Sequence, residues 1–276
     1  MSRLFALTAV AISLAFAPLQ RAEAADAPQA WPFSVPAEST IPAGPLGEAI
    51  KLGQKVVTDT QNHAKAYVGN GLNCSSCHLN GGTVAGAAPF VGLWGVFPEY
   101  RSRSASVNAL QTRINDCFER SMNGKALPEE SPEMIGVLSY VWWLSQGVPT
   151  GMDSAGRGFK EILAPATPDK ARGKSIYAQK CASCHAADGA GLNKPDGSYM
   201  FPPLWGSKAF NIGAGMARLN TAAAFVKANM PLAQGGTLSD QEAYDVAAFF
   251  TTQPRPDLAG KENDWLKGGK PKDARY

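Results

Sequence analysis

Five cysteines are distributed through this 276-residue chain in a pattern that restricts their chemistry. Four of them form two copies of C-x-x-C-H, Cys74-Ser75-Ser76-Cys77-His78 and Cys181-Ala182-Ser183-Cys184-His185. Two thiols at this spacing can add to the two vinyl groups of one haem, and the adjacent His is then held under the iron as an axial ligand. A thioredoxin-like redox pair has no use for a His in the same place twice, and a Cys/His zinc site needs closer ligand sets. The motifs therefore call for two covalently bound haem c groups, with His78 and His185 on the two irons. The fifth cysteine, Cys117, lies in Arg113-Ile114-Asn115-Asp116-Cys117-Phe118-Glu119-Arg120-Ser121. Steps of four put Arg113, Cys117 and Ser121 on one face of a helix, so a cation and a hydroxyl would flank the sulfur. Cationic neighbours and iron both favour thiolate over thiol. The same residue could also be a small buried side chain or half of an intermolecular disulfide. Arg101, Arg103, Arg113 and Arg120 cluster around it, and guanidinium forks match tetrahedral oxyanions. For Arg101 and Arg120 a solvated helix face is an equal alternative.

The surroundings of the two motifs echo each other. Pro89-Phe90-Val91-Gly92-Leu93-Trp94-Gly95 follows the first and Phe201-Pro202-Pro203-Leu204-Trp205-Gly206 the second. Each half ends in an amphipathic stretch that opens on an acidic turn, Pro132-Glu133-Met134 in one and Ser239-Asp240-Gln241-Glu242 in the other. Ser239 with Glu242 three residues on is a capping box. The Gly-, Pro- and Ser-rich run from Gly147 to Lys170 reads as a linker. The expected organisation is a signal peptide (residues 1–24), an N-terminal haem domain (25–148), a linker (149–169) and a C-terminal haem domain (170–276). The leader has Arg3, an apolar run from Leu4 to Leu19 and Ala22-Glu23-Ala24 as a cleavage site. The run is too short for a membrane span, and the mature chain offers no other. Export to the periplasm follows from this reading. Hydrophobic residues make up 45% of the chain and charged residues 18%, the balance of a globular protein. A net charge of only +3 argues against a nucleic-acid partner.

Each half resembles the class I cytochrome c family, which implies an all-α fold of two tandem cytochrome c-like domains. In that family a Met before the last helix supplies the sixth iron ligand, and Asn229-Met230-Pro231 places Met230 there. Met200 and Met216 are its rivals, and a packing role is the plain alternative. The first half has no such Met apart from Met122, and carries Cys117 instead. The dihaem layout, the run from Arg113 to Gly124, and Gly213-Ala214-Gly215-Met216 followed by Asn229-Met230-Pro231 resemble the thiosulfate dehydrogenase family over nearly the whole mature chain. That resemblance implies oxidation of two thiosulfates to tetrathionate, in some members reversed. It also implies His/Cys ligation of the first haem by His78 and Cys117, and His/Met ligation of the second by His185 and Met230. Arg103, Arg113 and Ser121 would hold the anion, making Cys117, Arg103, Arg113 and Ser121 the catalytic set. Some relatives carry a competing Lys just before the Met; Asn229 stands there in this chain.

Thioether ligation raises a haem potential and thiolate ligation lowers it, so electrons would run from the first haem to the second. They would leave to an electron-accepting cytochrome c or another small periplasmic redox protein. Three other readings compete. One is a tandem electron carrier with Cys117 incidental, one a sulfur-oxidation subunit acting on a carrier protein, and the weakest a dihaem peroxidase. His63 reads as a surface or packing residue on the helix entering the first motif. Trp94, Trp142, Trp143 and Trp205 read as core aromatics. The lysine-rich end from Lys267 to Lys272 reads as a free solvated tail.

Overall fold

The computed structural model describes residues 30–163 and 166–276. The leader expected at 1–24 lies outside the described residues. In the N-terminal half the principal helices are α1 (Pro45–Thr58), α2 (Leu110–Asp116) and α3 (Pro132–Leu144). The C-terminal half contributes α4 (Lys170–Lys180), α5 (Leu219–Asn229) and α6 (Asp240–Thr251). Two short antiparallel hairpins, β1 (Glu99–Arg101) with β2 (Ser106–Asn108) and β3 (Leu192–Asn193) with β4 (Tyr199–Phe201), are the only paired strands among the described residues. The fold is all-α, as expected.

Each half is built on a pair of crossing helices. In α1, Pro45 occupies the first turn, where its missing N–H costs nothing. Ile50, Gly53, Val56 and Val57 then recur at helical spacing and are buried against α3. The crossing is a backbone-to-backbone approach: a Cβ on Gly53 would lie 1.9 Å from the Gly136 carbonyl oxygen. The second half repeats the device, since a Cβ on Gly173 of α4 would lie 2.0 Å from the Asp245 carbonyl oxygen on α6. Asp169 caps α4 by accepting from Ala171 and Arg172, and the Ser239–Glu242 capping box closes the start of α6. Helix α4 runs directly into Cys181. The first half differs: after α1 a single turn (Thr60–His63) and a loop intervene before Cys74. His63 is therefore not on a long entry helix.

Two further expectations are corrected. Periodicity extends a helix back to Val107, but Val107 lies in β2 and is 66% exposed; the helix begins at Leu110. The C-terminal end is not free. Trp265 is buried, its N–H donates to the Arg103 carbonyl (2.7 Å), and Asp273 accepts from the Asn220 N–H (2.8 Å). Residues 256–276 thus return from the second core to the first. Residues 154–158 of the expected linker pack as well, with Ser154 bridging to Trp31 and the Gly156 and Gly158 carbonyls accepting from Gly86 and Ala88.

Candidate functional site

Helix α2 does not end as an α-helix. At Cys117–Ser121 it widens into a π-helical turn, a local form found mostly at functional sites. Asn123, in the left-handed region at φ 50°, stops it. Arg113, Ile114, Cys117, Phe118, Ser121 and Met122 face a cleft of about 1170 Å³ that also holds Cys74, Cys77 and His78. Arg113 Nη1 donates to Cys117 Sγ at 3.0 Å. His78 Nδ1 is 2.6 Å from the Ala88 carbonyl, which fixes the tautomer and turns Nε2 inward. Phe90 packs on the His78 ring in a tilted contact, with centroids 4.6 Å apart.

The three thiols of this cleft differ in acidity for stated reasons. Burial pushes Cys74 and Cys77 up to about 12. Burial acts against the Cys117 thiolate too, but the Arg113 charge and the His78 side chain outweigh it and bring Cys117 down to about 7. With Cys74 and Cys77 taken up as thioethers, Cys117 is the thiol left in this cleft. Burial lowers Arg113 less than the Cys117 sulfur and Asp116 raise it.

The arginines separate by position. Arg101 and Arg113 line the cleft; Arg157, from the linker, joins them and is paired with Glu99. Arg103 is not among the lining residues. It donates to the Gly213 carbonyl at 2.5 Å, sits 3.6 Å from Asp264 and stacks over Trp265. Arg120 makes a two-pronged pair with Asp264 at 2.8 and 2.9 Å and also binds Asp116. Sequence reasoning missed Arg157. Only the pairing of the linker with Gly86 and Ala88 brings it in, and no local pattern announces that.

The second cleft, about 1530 Å³, is lined by Cys181, Cys184, His185, Met200, Met216 and Met230 among others. His185 Nδ1 lies 2.9 Å from the Pro202 carbonyl. Met230 follows the last residue of α5 and packs against the second core, so it and its two rivals all reach this cleft. Leu72, Asn73, Cys77, Phe210 and Met216 line both clefts, which are therefore neighbours. His63 lines neither.

A flat macrocycle with two thioether links, an axial imidazole and acidic edge groups fits these features. Each cleft is mostly apolar, with a C-x-x-C-H turn on one wall and an imidazole fixed through Nδ1. Beside Phe210, Arg255 Nε and Nη1 and Arg275 Nη1 are buried without acceptors; Arg218 Nε is likewise unpaired. Burial and the neighbouring Arg275 push Arg255 down to about 9. Unpaired cations of this kind match the carboxylates that a haem carries.

These features define a tandem c-type cytochrome with two covalently bound haem c groups, one in each cleft. The SoxA/TsdA cytochrome c domain model matches residues 60–150, and the model for subunit III of cbb3-type cytochrome c oxidase matches residues 168–250. The chain is 47% identical over 243 residues to the thiosulfate dehydrogenase of Psychrobacter arcticus, covering 88% of this chain and 74% of that protein. It is 48% identical over 236 residues to that of Allochromatium vinosum, covering 84% and 87%. It also superposes on the thiosulfate dehydrogenase (TsdBA) from Marichromatium purpuratum in its as-isolated form. That match has a TM-score of 0.79 and 40% identity, over 83% of this chain and 50% of the other. The chain belongs to the thiosulfate dehydrogenase family and is an oxidoreductase of that family.

Proposed function

We propose that the protein oxidises two thiosulfates to tetrathionate at the first cleft and exports the electrons through the second. The observation that carries this is the Arg113–Cys117 contact at 3.0 Å in a cleft shared with His78 and a C-x-x-C-H turn. Thiosulfate is a dianion, and the cleft meets it with Arg101, Arg113, Arg157 and the Ser121 hydroxyl. Arg103, two residues beyond Arg101, is engaged by Gly213 and Asp264 at the domain boundary rather than by the cleft. The Cys117 thiolate, no longer bound to iron at this stage, bonds to the sulfane sulfur of one thiosulfate, giving a Cys–S–S–SO3⁻ adduct and two electrons. A second thiosulfate attacks the sulfane sulfur; tetrathionate leaves and the thiolate returns with its electron pair. Arg113 stabilises the thiolate at both stages, and the other arginines offset the repulsion between the two anions.

His78 with Cys117 and His185 with Met230 would hold the two haem irons, and each haem would supply a sink for one electron. Leu72, Phe210 and Met216 line both clefts, so the path between them is short and apolar. The electrons leave to a small external redox protein, and the expected leader sends the enzyme to the periplasm. A tandem carrier without catalysis is disfavoured, because nothing in electron transfer requires an arginine on a buried sulfur.

The test is thiosulfate-dependent ferricyanide reduction with tetrathionate assayed as product, on the wild type and on Cys117→Gly. The proposal expects turnover by the wild type, and loss of it in a variant that keeps both haems. Wild-type turnover in Cys117→Gly, or none in the wild type, overturns it.

A further inference from the structure

The turn that presents Cys117 is held from outside its own domain. A helix end leaves its last carbonyls without intrahelical partners. Here Asn211 of the second half collects two of them, its Nδ2 donating to the Glu119 carbonyl (2.9 Å) and its N–H to the Arg120 carbonyl (3.1 Å). Asn70 donates to the Ser121 carbonyl at 2.9 Å, and the Gly69 N–H to the Met122 carbonyl, also at 2.9 Å. Side chains make a second layer. Arg120 Nε donates to Asp116, the residue before Cys117, while both Nη atoms donate to Asp264 from the returning C-terminal segment. Asp264 is 7% exposed and also accepts from the Tyr276 hydroxyl; the Tyr276 ring stacks on Trp265, over which Arg103 lies. One carboxylate thus joins Arg120, Arg103 and the chain's last residue.

We propose that Asp264 is a positioning residue for the first haem: it clamps Arg120, and through it the π turn, so that Cys117 is held at one fixed place in the cleft. This rests on the reading of Cys117 as the thiolate ligand. A two-pronged Arg–carboxylate pair fixes orientation as well as distance, which a lone lysine contact would not. The carboxylate also balances Arg103 and Arg120, so its loss leaves positive charge uncompensated on the turn that carries Cys117. Positive charge favours the reduced iron, so the potential of the first haem rises, and by more than that of the second, whose cleft the Cys117–Ser121 turn does not line. The enzyme's sulfur chemistry is thereby tied to docking of the electron-transfer half, since the clamp exists only when residues 256–276 lie against the first domain.

The experiment uses the dihaem holoenzyme, with spectroscopy and a redox titration resolving the two haems. Wild type is compared with D264N, D264E, Y276F and Cys117→Gly. A thiolate-ligated low-spin signal in the wild type that vanishes in Cys117→Gly supports the ligand reading; its absence from the wild type overturns that reading and this proposal with it. With the reading intact, D264N is expected to give an altered, heterogeneous first-haem signal and a raised first-haem potential. Its kcat should fall on the order of 10- to 100-fold with little change in KM. D264E, which keeps the charge, is expected to bring the potential back toward wild type. Y276F loosens the clamp without removing charge; it is expected to alter the first-haem signal in the same way by less, with little change in potential, and carries the test through that signal if D264N yields no holoprotein. A wild-type first-haem signal and potential in D264N and Y276F, whatever their melting temperatures, overturns the proposal.

Discussion

Replacing Arg113 by Met removes a charge from the cleft while keeping most of the side-chain volume. In the wild type that charge sits against the sulfur, with Nη1 donating to Cys117 Sγ at 3.0 Å. Cys117 stands at about 7 against an ordinary 9.0 although burial pushes the other way. The fall from 9.0 to about 7 corresponds to about 3 kcal/mol in favour of the thiolate. This is a lower bound on what Arg113 and His78 contribute together, because burial acts against the Cys117 thiolate. On the proposed function the same guanidinium would meet the incoming dianion, so kcat/KM for thiosulfate should fall by roughly 10²- to 10³-fold. Arg113→Lys keeps the charge without the fork and should fall between the two. The assay is steady-state thiosulfate oxidation with tetrathionate quantified, after spectroscopy has shown both haems attached. A variant with near-wild-type kcat and a raised KM would refute the reasoning, because it would make Arg113 a substrate contact with no hold on the sulfur.

Three further outcomes follow from named contacts. Met230→Leu removes a thioether from the second cleft; a redox titration should show the higher-potential wave shifting down while the first haem's ligand signal stays, and an unchanged high wave would favour Met200 or Met216. Ser239→Ala deletes the cap of α6 and should destabilise the second domain by about 1 kcal/mol in denaturant unfolding. Asp245 is buried on α6, and although burial raises its pKa, bonds from Arg172, Gln241 and the Asp169 N–H hold it below the ordinary carboxylate value. A depressed pKa contributes stability above the unfolded value that fades as pH falls through the folded one. Asp245→Asn should therefore lower the melting midpoint at pH 7, and the gap from wild type should close as pH drops below about 4.

The parts of the molecule governed by short-range pattern were legible in the sequence. The two C-x-x-C-H motifs specify covalent chemistry by spacing alone, and the Ser239–Glu242 box marks the start of α6 because its bonds are local. The four-residue steps from Arg113 to Ser121 survive the switch from α to π, so all three side chains still reach one cleft. The features that escaped depend on distant partners. Arg157 enters the first cleft because Gly156 and Gly158 pair with Gly86 and Ala88, many residues away. Arg120 and Arg103 look like anion ligands in sequence, yet the Gly213 carbonyl takes Arg103, and Asp264 and Trp265, just before the lysines that read as a free tail, engage the pair. Val107 has helical periodicity but pairs with Tyr100 in a hairpin, a tertiary choice that overrides local preference.

The most direct test of the account is to trap the covalent step. The holoenzyme would be incubated with one equivalent of thiosulfate under oxidising conditions, quenched in acid and digested, and the peptide carrying Cys117 weighed with and without prior thiol reductant. The account predicts a sulfane-sulfonate adduct on Cys117, lost on reduction or on adding a second equivalent of thiosulfate, with tetrathionate released as it goes. Catalytic turnover with Cys117 unmodified at every stage would contradict it.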